Sequence, residues 1–222
     1  MIENRHLEPV FQIMLPALEN ANIEYWVYGG VGIAAYVGRF IRNNKDVDIF
    51  VKDADFETTK SLLNNLCLKN NFKLKSKKAL KNGRPKFVIY IHENDKNEIL
   101  SVVPIYLKEN YTEFLSNEGS IKFSNQILEK VERDISGFKF FTPPDRYIKE
   151  IFLDFLILRG DKRKSVIDAF NKGQTESRVS EDAFEILKLD DVEKLKKIEE
   201  FNSALINLSR IILFNGLDQY PF

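Results

Sequence analysis

The sequence predicts an α/β (α+β) chain, a mixed sheet with helices over residues 1–142 followed by a helical region over residues 143–222. Three observations carry that expectation. Short β-branched and aromatic runs alternate with apolar stripes of helical spacing through the first part of the chain. A double glycine, Gly29-Gly30, sits where one such run gives way to a helical pattern. From Arg146 onward the pattern turns helical.

Taken in order, Leu7, Val10, Phe11, Met14, Leu15 and Leu18 form the stripe of an opening helix, with Pro9 and Pro16 inside it. Ile23 to Tyr28 reads as a strand that runs into a tight turn, and Val31 to Val37 as a short helix. Trp26 is a core residue on this reading. Val47, Ile49 and Val51 alternate with Asp46, Asp48 and Phe50, a strand with both aspartates on one face. Asp53 to Lys69 is helical, with Asp53 or Asp55 as its N-cap. Lys73, Lys75, Lys77, Lys78, Lys81, Arg84 and Lys86 form a basic stretch. It reads as a solvated loop rather than a nucleic-acid patch, because only Phe72 interleaves an aromatic ring. Lys86 to His92 and Asn97 to Ile105 make a hairpin around Glu93-Asn94-Asp95-Lys96. Asn110 to Ser136 is less legible, mixing a helix near Tyr111 to Leu115 with one or two weak strands. Phe138 to Phe141 is a strand, and Thr142-Pro143-Pro144-Asp145 an exit and helix start. Ile148, Ile151, Phe152, Phe155, Leu156 and Leu158 then mark one helix. Further helices are expected around 166–170 and 184–187 and over 191–214.

Composition narrows the function classes. With 222 residues and 44% hydrophobic content the chain can build a packed core. Lys plus Arg equals Asp plus Glu at 33 each, so no whole-chain charge draws it to nucleic acid or to an anionic membrane. Cys67 is the single cysteine, which excludes an intramolecular disulfide and a multi-thiolate zinc site and fits a reducing compartment. The start lacks a basic-then-apolar order, and the apolar stretches are broken by Lys149, Asp154 or Arg210. A cytoplasmic protein without a membrane segment is expected; the oligomeric state is not readable. His6 and His92 have no ligand-spaced Cys or His neighbours.

The chemistry concentrates around Gly29-Gly30 and Asp46-Val47-Asp48. Two carboxylates on one strand face can hold Mg²⁺ or Mn²⁺ between protein and phosphate oxygens. Glycines between a strand and a helix let backbone N–H groups approach phosphate with no side chain in the way. Alone, a double glycine is usually a turn and an Asp-x-Asp strand a half-solvated edge; together they form a constellation.

Gly29-Gly30, seven residues, Gly38-Arg39, two residues, Arg42, then Lys45-Asp46-Val47-Asp48 resembles the signature of the aminoglycoside and lincosamide nucleotidyltransferases, within the polymerase-β-like nucleotidyltransferase superfamily. The resemblance is tight over about residues 23–51 and looser through 86–105. It implies that Gly29 and Gly30 bind a nucleoside triphosphate, that Asp46 and Asp48 are catalytic and hold the metal, and that Arg42, more than Arg39, approaches the nucleotide. Pro144 to Lys149 followed by Arg159 to Arg163 is similar to the helical region of AbiEii-type toxin nucleotidyltransferases, which implies that Lys149 contacts nucleotide. The resemblance also implies a third carboxylate three residues before Pro104, where this chain has Ser101. A hydroxyl cannot act as an anionic ligand or general base at neutral pH. Glu98 falls on the opposite face of a regular strand. Three alternatives follow: a bulge re-aims Glu98, another carboxylate stands in, or activity is reduced or lost.

The expected function is transfer of a nucleoside monophosphate from a triphosphate to an acceptor hydroxyl. A small molecule such as an antibiotic is favoured; RNA or protein is the other option, and an RNA acceptor calls for the basic stretch on the same face as Asp46. The alternative to an enzyme is a catalytically impaired nucleotide sensor or partner-binding protein that kept the fold.

Overall fold

The computed structural model describes residues 4–81, 84–94, 97–115 and 120–158. The helices expected after residue 158 lie outside the described residues. A π-helical turn, Val10–Met14, runs into α1, Leu15–Asn20. The widened turn ends where Pro16, in the first turn of α1, brings no N–H to an intrahelical ladder. All six residues of the expected apolar stripe are buried.

β1 is Tyr25–Tyr28, α2 Gly29–Val37 and β2 Val47–Lys52. A 3₁₀ turn at Asp53–Asp55 leads into α3, Phe56–Asn70. Asp55 holds the N-cap position without a side-chain capping bond. β3 is Lys73–Lys81, β4 Arg84–His92 and β5 Glu98–Leu107. The principal sheet runs β1-β2-β5-β4-β3; β2 and β5 are parallel, and the other neighbours antiparallel. β6, Thr112–Leu115, pairs antiparallel with the end of β5, and β7, Ser120–Phe123, pairs with β6. β8, Val131–Ile135, and β9, Phe138–Thr142, form a separate hairpin, and α4 is Asp145–Leu158.

Two expectations are corrected. The basic stretch is a strand rather than a loop: Leu74 packs against the core while Lys73, Lys75 and Lys77 alternate with it on the other side. Lysines on an outer strand also discourage another chain from pairing there. Residues 112–115 are a strand rather than a helix, because Phe114 is drawn into an aromatic cluster with Tyr28 and Phe50.

The sheet separates two apolar layers. On one side the amino-terminal helices and α3 pack on Val47, Ile49, Val51, Ile89, Ile91, Leu100 and Val102. On the other, Trp26, Tyr28, Phe50, Val88 and Val103 meet Phe114, Phe123, Tyr147 and Ile151. Trp26, 1% exposed, is core as expected. α4 also lies against α2, where Ile148 meets Ile33. Among the described residues no helix is long and apolar enough to cross a membrane.

Candidate active site

Tyr28 ends β1 in extended backbone, and Gly29 turns at φ +65° into α2. That φ favours glycine, and the space does too: a Cβ on Gly29 would meet the Asp48 carboxylate. A Cβ on Gly30 would meet the Arg42 guanidinium and the Asn44 side-chain oxygen. The missing side chains therefore let an aspartate and an arginine close directly onto the first turn of α2. No side chain caps that turn and no acidic residue lies in it, so its N–H groups present partial positive charge.

The sheet register builds the rest. Asp48 lies opposite Tyr28 on β1 and Ser101 on β5, and Ser101 lies opposite Tyr90, itself opposite Lys75 on β3. Tyr28, Asp48, Ser101, Tyr90 and Lys75 thus form one row across five strands, on one face. Asp46 precedes Val47 at the entry to β2. Between β4 and β5 the register slips: Ile91 pairs with Leu100 but His92 with Glu98. Ile99 is the extra residue of a β-bulge, and it joins Leu100 in the same apolar layer.

The slip reverses the facing of Glu98, which turns to the side of Asp48 and pairs with Lys45 at 3.4 Å. Of the three alternatives, a bulge that turns Glu98 to the other face is present in the fold.

Burial first, then the hydrogen bond and charge of Glu98, push the Asp46 carboxyl up to about 6, against the opposing charges of Lys45 and Arg42. Tyr90 is also raised, by burial and then by the charges of Glu98, Asp48 and Asp46.

The loop carrying Arg42 is anchored from the start of the chain. Asn4 donates to the Arg42 carbonyl at 3.3 Å, and the Asn44 N–H donates to Asn4 Oδ1 at 2.7 Å. His6 Nε2 lies 3.2 Å from the Lys45 carbonyl oxygen. Asn44 is 2% exposed, and its Oδ1 has no hydrogen-bond partner among the described residues. Arg39 is exposed just beyond the left-handed Gly38 that ends α2. Lys149 stands on α4 with its ammonium 5.1 Å from the Tyr36 ring centroid. Tyr36 lies six residues beyond Gly30, about 9 Å along α2. Gly29, Gly30, Arg42, Asp46 and Asp48 thus converge, while the Lys149 contact is farther down the helix. The sequence reading did not single out Asn4, Asn44 or Tyr90; the alternation of Tyr90 with Ile89 and Ile91 was the available signal for the last.

A hard divalent cation fits this donor set. Asp46 and Asp48 offer carboxylate oxygens beside a glycine cradle that a Cβ would fill. Among the described residues no group of three His, Cys, Asp or Glu side chains is arranged to hold a metal. Mg²⁺ binds through one or two carboxylates and completes its shell with water and phosphate oxygens.

The architecture is the mixed α+β fold of nucleotidyltransferases. The solution structure of antibiotic-resistance factor ANT(2'')-Ia superposes with a TM-score of 0.55 at 12% identity, covering 96% of this chain and 98% of that one. The crystal structure of ANT(2'')-Ia with adenylyl-2''-tobramycin gives 0.52 at 14% identity over 90% and 95%. A Thermotoga maritima protein classed provisionally as a nucleotidyltransferase gives 0.50 at 14% over 78% and 96%. More particularly, residues 10–92 match the model of the Aminoglycoside-2''-adenylyltransferase family. The chain therefore resembles the polymerase-β-like nucleotidyltransferases. No curated protein matches it in sequence.

Proposed function

We propose that this protein is a nucleotidyltransferase that uses Mg²⁺ or Mn²⁺ to move a nucleoside monophosphate from a triphosphate to an acceptor hydroxyl. The observation that carries the reading is the meeting of Gly29 and the Asp48 carboxylate at the uncapped start of α2. It joins a phosphate cradle and a metal-binding carboxylate at one point. The first-turn N–H groups and Arg42 bind the triphosphate, and Asp46 and Asp48 hold the cation. When bound, the cation neutralises phosphate charge. The acceptor oxygen loses its proton to solvent or a nearby carboxylate and forms a bond to the α-phosphorus. The bond from that phosphorus to the bridging oxygen breaks, and pyrophosphate leaves with the electron pair. Lys149 is assigned to the nucleotide, reached from α4 across α2, and residues 143–222 to a helical second domain.

A small-molecule hydroxyl, an antibiotic in particular, is the favoured acceptor. It is supported by the family matched over 10–92 and by the tobramycin adduct held by a structural neighbour. One observation favours RNA instead: Lys73, Lys75 and Lys77 lie on the face of Asp48, next to Tyr90.

The test is to incubate the protein with α-labelled triphosphates, Mg²⁺ or Mn²⁺, and aminoglycosides, lincosamides, RNA or protein substrates. Label should pass to one acceptor class with release of pyrophosphate, and neither Asp46→Asn nor Asp48→Asn should support it. Metal-dependent triphosphate binding with no transfer to any acceptor would leave a nucleotide sensor. Undiminished transfer by either variant would refute the metal site.

A further inference from the structure

Asn44 faces the start of α2 with one polar atom unused. The residue is 2% exposed, and its Oδ1, closed off from solvent, has no hydrogen-bond partner among the described residues. Leaving a buried acceptor unpaired costs folding free energy, so a second state that pairs it is favoured by the same amount. The rest of the residue is engaged: its N–H donates to Asn4 Oδ1 at 2.7 Å, and its Nδ2 donates to the Arg42 carbonyl at 3.4 Å. The second bond sets which way the amide points, since the reverse orientation would put oxygen against that carbonyl. Oδ1 is thereby aimed at Gly30, where a Cβ would meet it together with a terminal nitrogen of Arg42. The absence of that one Cβ brings an unpaired acceptor and a guanidinium donor into the same notch, against the uncapped first turn of α2.

We propose that Asn44 is a positioning residue for Arg42: its Oδ1 takes an N–H of the guanidinium when a triphosphate draws Arg42 onto the first turn of α2. The inference rests on the nucleotidyltransferase reading and deepens it, by assigning the phosphate contact to Asn44 and Arg42 as a pair. A guanidinium carries its N–H donors in a planar fork, so one edge can rest on Oδ1 while another faces phosphate oxygens. The pairing satisfies the orphaned acceptor and fixes the plane of the fork, and it does both in the bound state. On this assignment Asn44 touches neither base nor sugar.

The experiment measures binding of inorganic triphosphate, with Mg²⁺, to the full chain by isothermal titration calorimetry, with circular dichroism to verify folding. This probe has no base or ribose. Asn44→Ala should bind it at least about 10-fold more weakly than wild type, the worth of a hydrogen bond to a charged group, and ATP should lose the same factor. In an Arg42→Ala background the further change Asn44→Ala should cost less than about twofold, because its partner is gone. Asn44→Ser, whose hydroxyl is too short to reach the notch, gives the same pattern if alanine does not fold. The side-chain ¹⁵N–¹H signals of Arg42 separate positioning from loop support. At saturating inorganic triphosphate the wild type should show separate terminal N–H signals, from a guanidinium held on two sides, and Asn44→Ala a single averaged one. Identical signals in the saturated variant, additive losses in the double variant, a loss with ATP alone, or wild-type affinity in folded Asn44→Ala would each overturn the proposal. No saturable binding of inorganic triphosphate or ATP by wild type, or full affinity in Arg42→Ala, would refute the phosphate-site reading itself.

Discussion

Replacing Asp46 with asparagine should stabilise the metal-free protein near neutral pH, with the gain shrinking in acid. The Asp46 carboxyl is raised from 3.8 to about 6, so the folded protein holds its proton more tightly than the unfolded chain does. Folding therefore loses stability as pH rises from about 4 to just above 6, the direction opposite to that of a salt-bridged aspartate. At about 1.36 kcal/mol per pK unit the full loss is about 3 kcal/mol, and roughly half of it falls between pH 5 and pH 7.5. Asparagine keeps the shape and a hydrogen bond to Glu98 without the charge. Urea unfolding of both proteins in chelator at several pH values should show the variant's advantage growing from pH 5 to pH 7.5 by about 1–2 kcal/mol. Mg²⁺ should reverse the order, since a ligand at about 100 times its Kd adds about 2.7 kcal/mol to the form that binds it. Parallel pH profiles for the two proteins, with or without Mg²⁺, would refute the argument.

Gly30→Val should lose triphosphate affinity by at least about tenfold while the protein still folds, because the branched side chain enters the space of Arg42 and Asn44 and shields the N–H groups of α2; fluorescent nucleotide binding reads this directly. Ser101→Asp should fail to raise turnover and should lower metal-free stability by about 1 kcal/mol, since it sets a like charge directly across from Asp48. A tenfold gain in pyrophosphate release would show that the third-carboxylate position was waiting to be filled. Cys67, buried on α3 with its thiol pushed up to about 11, should resist aromatic disulfide reagents at pH 8 in the native protein and react on unfolding. Fast native labelling would contradict that burial.

The parts of the site visible in the sequence are those set by near neighbours. Asp46 and Asp48 alternate with Val47 and Ile49, and a glycine pair between a strand and a helix marks its own turn, so the α2 cradle, Asp48 on β2 and Asp46 just before it could be placed from short-range periodicity. The aim of Glu98 could not. The bulge at Ile99 has no glycine or proline to announce it, and Glu98-Ile99-Leu100-Ser101 reads as an ordinary strand. Arg42 was visible by its spacing, but the asparagine that holds its loop lies 38 residues earlier. The lysine-rich β3 looked like a loop because its polarity outweighed Leu74, whereas pairing along β4 decides its structure. Residues 112–115 were misread as helix for a similar reason: the partners that make them a strand, Ile105 to Leu107 and Ser120 to Phe123, are brought beside them only by the fold.

Asn4 has a further consequence for how the molecule assembles. α2 and the β3–β4 hairpin can begin to form from contacts close in sequence, but the segment that brings Arg42 and Lys45 to the glycines is fastened by Asn4 and bordered by His6. Its fastening closes a loop of about 40 residues, an entropic cost met only once the opening segment has docked on the core. Arg42 is therefore held in place only when Asn4 and its partners across that loop have met.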